Sequence, residues 1–147
     1  MPGVLIVDDE KDMREFVRDV LEGMAFEVCE AGDGAEALCK AREILPDLIV
    51  LDIVMPVMTG WEFIKWIRTS ELLKSVPVII ISGSKKAKEE FRLERPEGCV
   101  FLAKPFTVSE FERNVVKMLP TAARDCAGVV GAQVVPAGDE ANAAERI

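Results

Sequence analysis

The sequence predicts an α/β domain with a doubly wound, five-stranded parallel sheet between two layers of helices. Five short strand-like runs, most of them apolar, alternate with five stretches of helical periodicity. Runs such as residues 48–51 are apolar on both faces, which is typical of parallel strands covered by helices on each side. The chain has 147 residues, enough for one domain with a full hydrophobic core. Right-handed crossovers then favour a three-layer sandwich.

The first half of the chain predicts three strands and two helices. The predicted strands are the apolar runs at residues 4–7 and 48–51 and a short strand at residues 27–31 between them. Before the second strand, apolar residues recur at the spacing of an amphipathic helix: Met13, Phe16, Val17, Val20, Leu21 and Met24. Asp33 and Glu36 have the spacing of a capping box and predict a second helix that ends at Pro46. Its apolar side comprises Ala37, Leu38, Ala41, Ile44 and Leu45.

The second half continues the alternation. Thr59 and Glu62 predict the start of a third helix, because they too have capping-box spacing. The remaining predicted elements are a strand at 78–81, a polar helix at 85–94, a strand at 99–102 and a helix at 107–119. Pro120 ends the last helix. We therefore expect a domain over residues 1–120, followed by a flexible C-terminal tail at 121–147 with no output domain.

Composition excludes several classes of function. The net charge of −8 argues against nucleic acid as a partner. No apolar run approaches the ~20 residues needed to span a membrane, and the N-terminus lacks signal-peptide features, so we expect a cytoplasmic protein with no membrane partner. The chain has no histidine, which removes Ser-His-Asp and Cys-His catalysis and histidine-ligated metals. The four cysteines fit neither a zinc site nor a disulfide framework.

Polar residues that carry chemistry follow the predicted strands. Asp8 and Asp9 follow the first strand, Asp52 the third, Ser82 the fourth and Lys104 the fifth. Open parallel sheets bind ligands beyond the carboxyl ends of the strands, where strand order reverses. With the order 2-1-3-4-5, the first and third strands flank that point. We therefore expect the three aspartates to share one pocket, with the serine and the lysine on its far side.

These residue types suit phosphoryl transfer. Close carboxylates repel each other by roughly 4 kcal/mol per pair at 4 Å and an effective dielectric near 20, and a hard cation such as Mg²⁺ relieves this repulsion. The cation and Lys104 can neutralise an incoming phosphoryl group, and the Ser82 hydroxyl can donate a hydrogen bond to it. Asp52 is then the candidate nucleophile, which forms an acyl phosphate.

Together these motifs resemble the response-regulator receiver family of two-component signalling, which has a flavodoxin-like fold. The resemblance covers about residues 3–119. The matching motifs are Val7-Asp8-Asp9, Leu51-Asp52 with Met55-Pro56 and Gly60, Ser82-Gly83, and Lys104-Pro105-Phe106. Each motif alone is a weak signal, but all of them occur in order and at strand ends.

The resemblance implies a role for each matching residue. Asp52 matches the phosphoacceptor. Asp9, Asp52 and the Val54 backbone carbonyl match ligands of Mg²⁺, with Asp8 acting largely through water and Mn²⁺ as a possible substitute. Lys104 matches the lysine that pairs with the phosphoryl group, and its bond to Pro105 is expected to be cis. The residues that match the switch are Ser82 and the strand-five aromatic Phe101.

The resemblance also implies partners and regulation. A sensor histidine kinase or a histidine phosphotransfer protein would supply the phosphoryl group, and the face made by helix four, strand five and helix five would change for an unknown downstream target. We expect a monomer or a phosphorylation-dependent dimer, and no enzyme activity beyond its own phosphorylation and dephosphorylation. Val54 is apolar where many relatives are polar, which leads us to hypothesise a long-lived phosphorylated state.

Two alternatives remain open at this point. One is a phosphorylation-independent interaction module on the same fold, although such members lose acidic or lysine positions that this chain keeps. The other is an aspartyl-phosphate phosphatase, which needs a D-x-D motif after the first strand, whereas Asp8 and Asp9 are adjacent. Singly, each residue also has an ordinary structural explanation: an aspartate pair often caps a helix, and a lysine is usually a surface charge.

Overall fold

The structure, a computed structural model, describes residues 2–119. The strands are β1 (Gly3–Val7), β2 (Glu27–Ala31), β3 (Leu48–Asp52), β4 (Val78–Ser82) and β5 (Cys99–Ala103). The helices are α1 (Lys11–Gly23), α2 (Gly34–Ile44), α3 (Gly60–Arg68), α4 (Lys85–Glu94) and α5 (Val108–Met118). All four strand pairings are parallel, in the order β2-β1-β3-β4-β5, which confirms the predicted fold class.

The sheet divides the core into two layers because side chains alternate along each strand. On β1, Val4 and Ile6 pack towards α1 and α5, whereas Leu5 and Val7 pack towards α2 and α3. All four are at most 1% exposed, so burial on both faces accounts for the uninterrupted apolar run. None of the helices within residues 2–119 is long and apolar enough to cross a membrane.

The helix ends follow the predicted signals with two differences. Thr59 forms a full capping box with Glu62. Asp33 caps α2 by accepting from the Glu36 amide at 2.8 Å, but the Glu36 side chain accepts from the Gly32 amide at 2.7 Å instead of closing the box. At the other end of α2, Ile44 and the C-cap residue Leu45 are 43% and 45% exposed, so these two members of the predicted apolar side are not buried.

The predictions made for residues 120–147, including the flexible tail, lie outside the described residues, and the domain boundary at residue 120 stays a prediction.

Candidate phosphoacceptor and metal site

The strand register brings the three predicted aspartates together. β1 and β3 are neighbours, with Val7 paired to Leu51, so Asp8 and Asp52 occupy adjacent places at the carboxyl edge of the sheet. One carboxylate oxygen each from Asp8, Asp9 and Asp52 lies within 4.8 Å of the other two. The predicted acidic cluster is therefore present. Asp8 is buried, Asp52 is half-buried and Asp9 is exposed.

Burial and like charge perturb two of these carboxyl groups. The pKa of Asp52 is raised from 3.8 to about 6, first by burial and then by the Asp8 charge, while the hydrogen bond from the Val54 amide and the Lys104 charge oppose the rise. Burial also raises the pKa of Asp8, against a hydrogen bond from the Glu10 amide and the Lys104 charge. The cluster therefore carries negative charge that the surrounding protein does not fully balance.

Lys104 and Ser82 lie on the other side of this cluster. The Lys104 charge lowers the pKa of both Asp8 and Asp52, so its ammonium acts on the carboxylates across the pocket. The Lys104 amide donates to the Ser82 carbonyl at 3.0 Å, which continues the β4–β5 ladder into the site. Ser82 is buried, and its hydroxyl oxygen accepts from the Ser84 amide at 3.1 Å. The predicted cis bond between Lys104 and Pro105 is present.

The two other predicted residues are Val54, next to Asp52, and Phe101, on β5. Val54 is 62% exposed, and its amide donates to Asp52 Oδ1 at 3.2 Å. Phe101 is half-buried on β5, where its ring centroid lies 5.5 Å from that of Phe91 on α4. Phe101 therefore contacts the helix that begins just after Ser82.

The loop between β3 and α3 is shaped by one close approach and one unfavourable dihedral angle. The Gly60 amide donates to the Ile53 carbonyl at 2.9 Å, and a Cβ at Gly60 would lie 2.8 Å from Ile53 Cα and 2.9 Å from the Asp52 carbonyl oxygen. Only glycine fits there. Val57 has a φ of 70°, a conformation that β-branched residues rarely adopt.

Sequence patterns did not predict two residues that shape the site. Arg14 of α1 donates from Nη1 to the Asp8 carbonyl at 2.6 Å and from Nε to Glu30 Oε1 at 3.0 Å. Ser84 caps α4 by accepting from the Ala87 amide at 3.1 Å. The serine before the polar helix is a readable capping signal. Arg14 has no comparable signal, because its partners become close only in the folded chain.

The donor set fits a hard divalent cation. Carboxylate oxygens are the ligands that Mg²⁺ prefers, and a cation among them would offset the burial and the like charge that raise the pKa of Asp52. Thiol and imidazole ligands, which softer metals prefer, do not contribute to this cluster.

An acidic cluster at the point where strand order reverses in a 2-1-3-4-5 sheet is the arrangement expected of the receiver class of signalling domain. Comparison with known proteins assigns the family. Residues 4–116 match the response regulator receiver domain, and the chain belongs to that family. It is therefore a receiver domain of two-component signalling.

Relatives and solved structures agree with this assignment. The chain is 35% identical to the polar-differentiation response regulator DivK of Brucella ovis over 121 residues, which cover 82% of this chain and 98% of DivK. It is 35% identical to the chemotaxis protein CheY4 of Vibrio cholerae, with a TM-score of 0.73 and coverage of 81% of this chain and 99% of that structure.

A second similar structure contains a metal. The receiver domain of the sensor histidine kinase PA1611 from Pseudomonas aeruginosa PAO1 has a magnesium ion coordinated in its active site cleft. It is 25% identical to this chain, with a TM-score of 0.73 and coverage of 80% of this chain and 96% of that structure.

Proposed function

We propose that this chain is a phosphorylation-activated switch that accepts a phosphoryl group onto Asp52 from a histidine kinase or a histidine phosphotransfer protein. The observation that carries the proposal is the convergence of three carboxylates at one strand edge, with the Lys104 charge acting on the Asp52 carboxylate. At pH 7, above its pKa of about 6, the Asp52 carboxyl group is mostly ionised, which is the form that acts as a nucleophile.

In the proposed reaction, an Asp52 carboxylate oxygen attacks the phosphorus of a donor phosphohistidine. The new bond is an acyl phosphate O–P bond, and the P–N bond breaks with its electron pair returning to the imidazole nitrogen. Lys104 neutralises phosphoryl oxygens, and the Ser82 hydroxyl donates a hydrogen bond to one of them. Asp8, Asp9, Asp52 and the Val54 carbonyl would hold Mg²⁺, or Mn²⁺ as a substitute, which supplies further positive charge when bound.

The switch would operate through Ser82 and Phe101. The Ser82 hydroxyl accepts from the Ser84 amide, directly before α4, so a new bond from this hydroxyl to a phosphoryl oxygen would act on the start of that helix. Phe101 packs against Phe91 of α4 and would turn inward in the same change. The α4–β5–α5 face would then shift between two packings and bind a downstream protein, as a monomer or a phosphorylation-dependent dimer.

Incubation with acetyl phosphate and Mg²⁺, followed by intact mass measurement, tests the proposal. We expect one added phosphoryl group, which disappears in Asp52→Asn and with a chelator. Asp19→Asn, which removes an exposed aspartate of α1, is the matched control and should be labelled like the wild type. Absence of labelling in the wild type would favour the phosphorylation-independent interaction module. Steady turnover of p-nitrophenyl phosphate would favour the phosphatase.

The lifetime of the phosphorylated state depends on Val54 in this proposal. The exposed isopropyl group of Val54 next to Asp52 offers no hydrogen bond to an attacking water. We expect Val54→Asn to shorten the half-life of the Asp52 phosphate several-fold, measured as the decay of the labelled mass after acetyl phosphate is removed. Equal half-lives in the two proteins would contradict this role.

A further inference from the structure

Arg14 connects the acidic pair to the edge strand of the sheet. It lies in the first turn and a half of α1, and its side chain is only 19% exposed. Nη1 donates to the Asp8 carbonyl at 2.6 Å, and Nε forms an ion pair with Glu30 Oε1 at 3.0 Å. One guanidinium thus joins the β1–α1 connection to β2.

Glu30 is itself held in place by other basic side chains. Its second carboxylate oxygen pairs with Arg18 Nη1 at 2.7 Å, and Arg18 Nη2 donates to the Val28 carbonyl at 3.2 Å. Lys40 of α2 donates to the Glu30 backbone carbonyl. Glu30 is therefore a fixed anchor whose carboxylate pairs with both Arg14 and Arg18. The cation that lowers the pKa of Asp8 and Asp52 is Lys104, whereas Arg14 contacts a backbone carbonyl, so its contribution to the acidic cluster is geometric.

The bond to the Asp8 carbonyl completes the restraints on Asp8. The Asp8 amide already donates to the Ala31 carbonyl at 3.1 Å, and Asp8 Oδ1 accepts from the Glu10 amide at 2.8 Å. The peptide group that joins Asp8 to Asp9 is planar, so a fixed carbonyl oxygen also fixes the direction in which the chain enters Asp9. Asp9 is exposed, and repulsion from Asp8 and Asp52 favours its movement away from them.

We infer that Arg14 is a positioning residue for the acidic cluster, which holds the Asp8–Asp9 peptide so that Asp9 stays beside Asp8 and Asp52 for a divalent cation. The inference rests on the proposed function for the identity of the cation. Arg14 contacts the backbone of the cluster and not its carboxylates, so it acts before the cation arrives, by keeping the ligands assembled.

A comparison of Arg14→Met with Arg18→Met tests this inference in the full chain. Both variants remove one guanidinium from Glu30, but only Arg14 contacts Asp8. The first measurement is amide hydrogen exchange by NMR without metal. We expect the Glu10 amide to exchange at least fivefold faster in Arg14→Met than in Arg18→Met, because the turn closed by Asp8 Oδ1 loses its support.

The second measurement is a Mg²⁺ titration followed by the same amide signals. We expect about a tenfold weaker Kd in Arg14→Met, as for other residues that support metal ligands, and a change of less than twofold in Arg18→Met. At saturating Mg²⁺, labelling of Arg14→Met by acetyl phosphate should return to within threefold of the wild-type rate. Arg14→Lys should be intermediate in both measurements, since an ammonium lacks the fork that reaches Asp8 and Glu30 together.

The outcomes separate this inference from the proposed function. If wild type binds Mg²⁺ and is labelled, but both methionine variants show the same Kd and the same Glu10 exchange, Arg14 has no positioning role. If wild type neither binds Mg²⁺ nor is labelled, the proposed function fails, and the exchange comparison without metal still decides whether Arg14 holds the loop.

Discussion

The amino and carboxyl ends of the parallel strands form two opposite edges of the sheet, and these edges differ in their electrostatics. At the amino edge, the guanidinium group of Arg68, at the end of α3, donates hydrogen bonds to backbone carbonyls in the connections that lead into β4 and β5. At the carboxyl edge, three carboxylates converge, and the pKa of Asp52 rises to about 6. The amino edge is therefore built for stability, whereas the carboxyl edge holds groups in an arrangement that the folded chain alone does not favour.

Arg68 connects α3, to which it belongs, with the segment before β4 and the segment before β5. It donates to the Val76 carbonyl at 2.8 Å, to the Lys74 carbonyl at 3.2 Å, and to the Glu97 carbonyl at 2.9 Å and 3.2 Å from two nitrogens. Its Nη2 would lie 2.9 Å from a Cβ at Gly98, where φ is 71°, so the guanidinium occupies space that glycine leaves open. A planar fork of donors suits this set of carbonyls, and lysine could not replace it.

The largest predicted effect is the loss of this connection. Arg68→Met should lower the free energy of unfolding by about 3 kcal/mol, because several carbonyls lose a charged donor at once. Urea unfolding measures the change. Lys65→Met on the same helix is the control, since Lys65 is exposed, and it should change stability by less than about 0.5 kcal/mol.

The same variant distinguishes the roles of the two edges. Under conditions where it is folded, Arg68→Met should still accept one phosphoryl group from acetyl phosphate, because the change lies at the opposite end of the strands. A folded Arg68→Met that takes up no label would contradict the separation between the edges.

The second prediction concerns the cost of the acidic cluster. Asp52→Asn should stabilise the metal-free protein at pH 8 by about 2 kcal/mol. A pKa raised by about two units corresponds to about 3 kcal/mol of unfavourable ionisation, which partial exposure to solvent reduces. Asparagine can still accept the hydrogen bond from the Val54 amide, so the substitution removes mainly the charge.

The pH dependence has a definite sign. The folded pKa of Asp52 lies above its unfolded value of 3.8, so its ionisation opposes folding. The stability difference between Asp52→Asn and wild type should be near zero below pH 3, grow as the pH rises from the unfolded pKa of 3.8 to the folded pKa of about 6, and level off above about pH 7. Thermal unfolding across this range, with Asp19→Asn as control, measures it. Saturating Mg²⁺ should reduce the difference; a difference independent of both pH and Mg²⁺ would contradict the electrostatic cause.

Sequence patterns predicted the carboxyl edge far better than the amino edge. Asp8, Asp52 and Lys104 each follow an apolar run, so parallel strand topology alone brings them to one edge. Arg68 and Arg14 could not be predicted in this way. Each acts on carbonyls whose positions depend on loop conformations, and a single arginine near a helix end has no pattern that distinguishes it from a solvent-exposed charge.

The helix ends show the same limit on a smaller scale. The spacing of Asp33 and Glu36 predicted the cap on α2, because the bond from Asp33 to the Glu36 amide is local. The Glu36 side chain instead reached the Gly32 amide, a choice between two neighbouring donors that the sequence does not determine. Local hydrogen bonds are thus predictable when one partner is available and become ambiguous when two compete.

The smallest prediction tests whether the carboxyl edge also stores backbone strain. Val57 has a φ of 70°, and the residue is 84% exposed, so little packing offsets the unfavourable dihedral angle. A left-handed conformation costs an L-residue roughly 1–2 kcal/mol, while glycine adds roughly 0.5–1 kcal/mol of backbone entropy. Val57→Gly should therefore raise stability by about 0.5–1 kcal/mol, which is a rise of a few degrees in Tm.

Val57→Ala is the matched control for this strain. Alanine keeps the Cβ that makes the left-handed conformation unfavourable, while it removes most of the exposed apolar surface. Val57→Ala should therefore gain clearly less stability than Val57→Gly. An equal gain in stability in both variants would assign the effect to the exposed side chain. The backbone strain at this edge would then be small compared with the repulsion among the carboxylates.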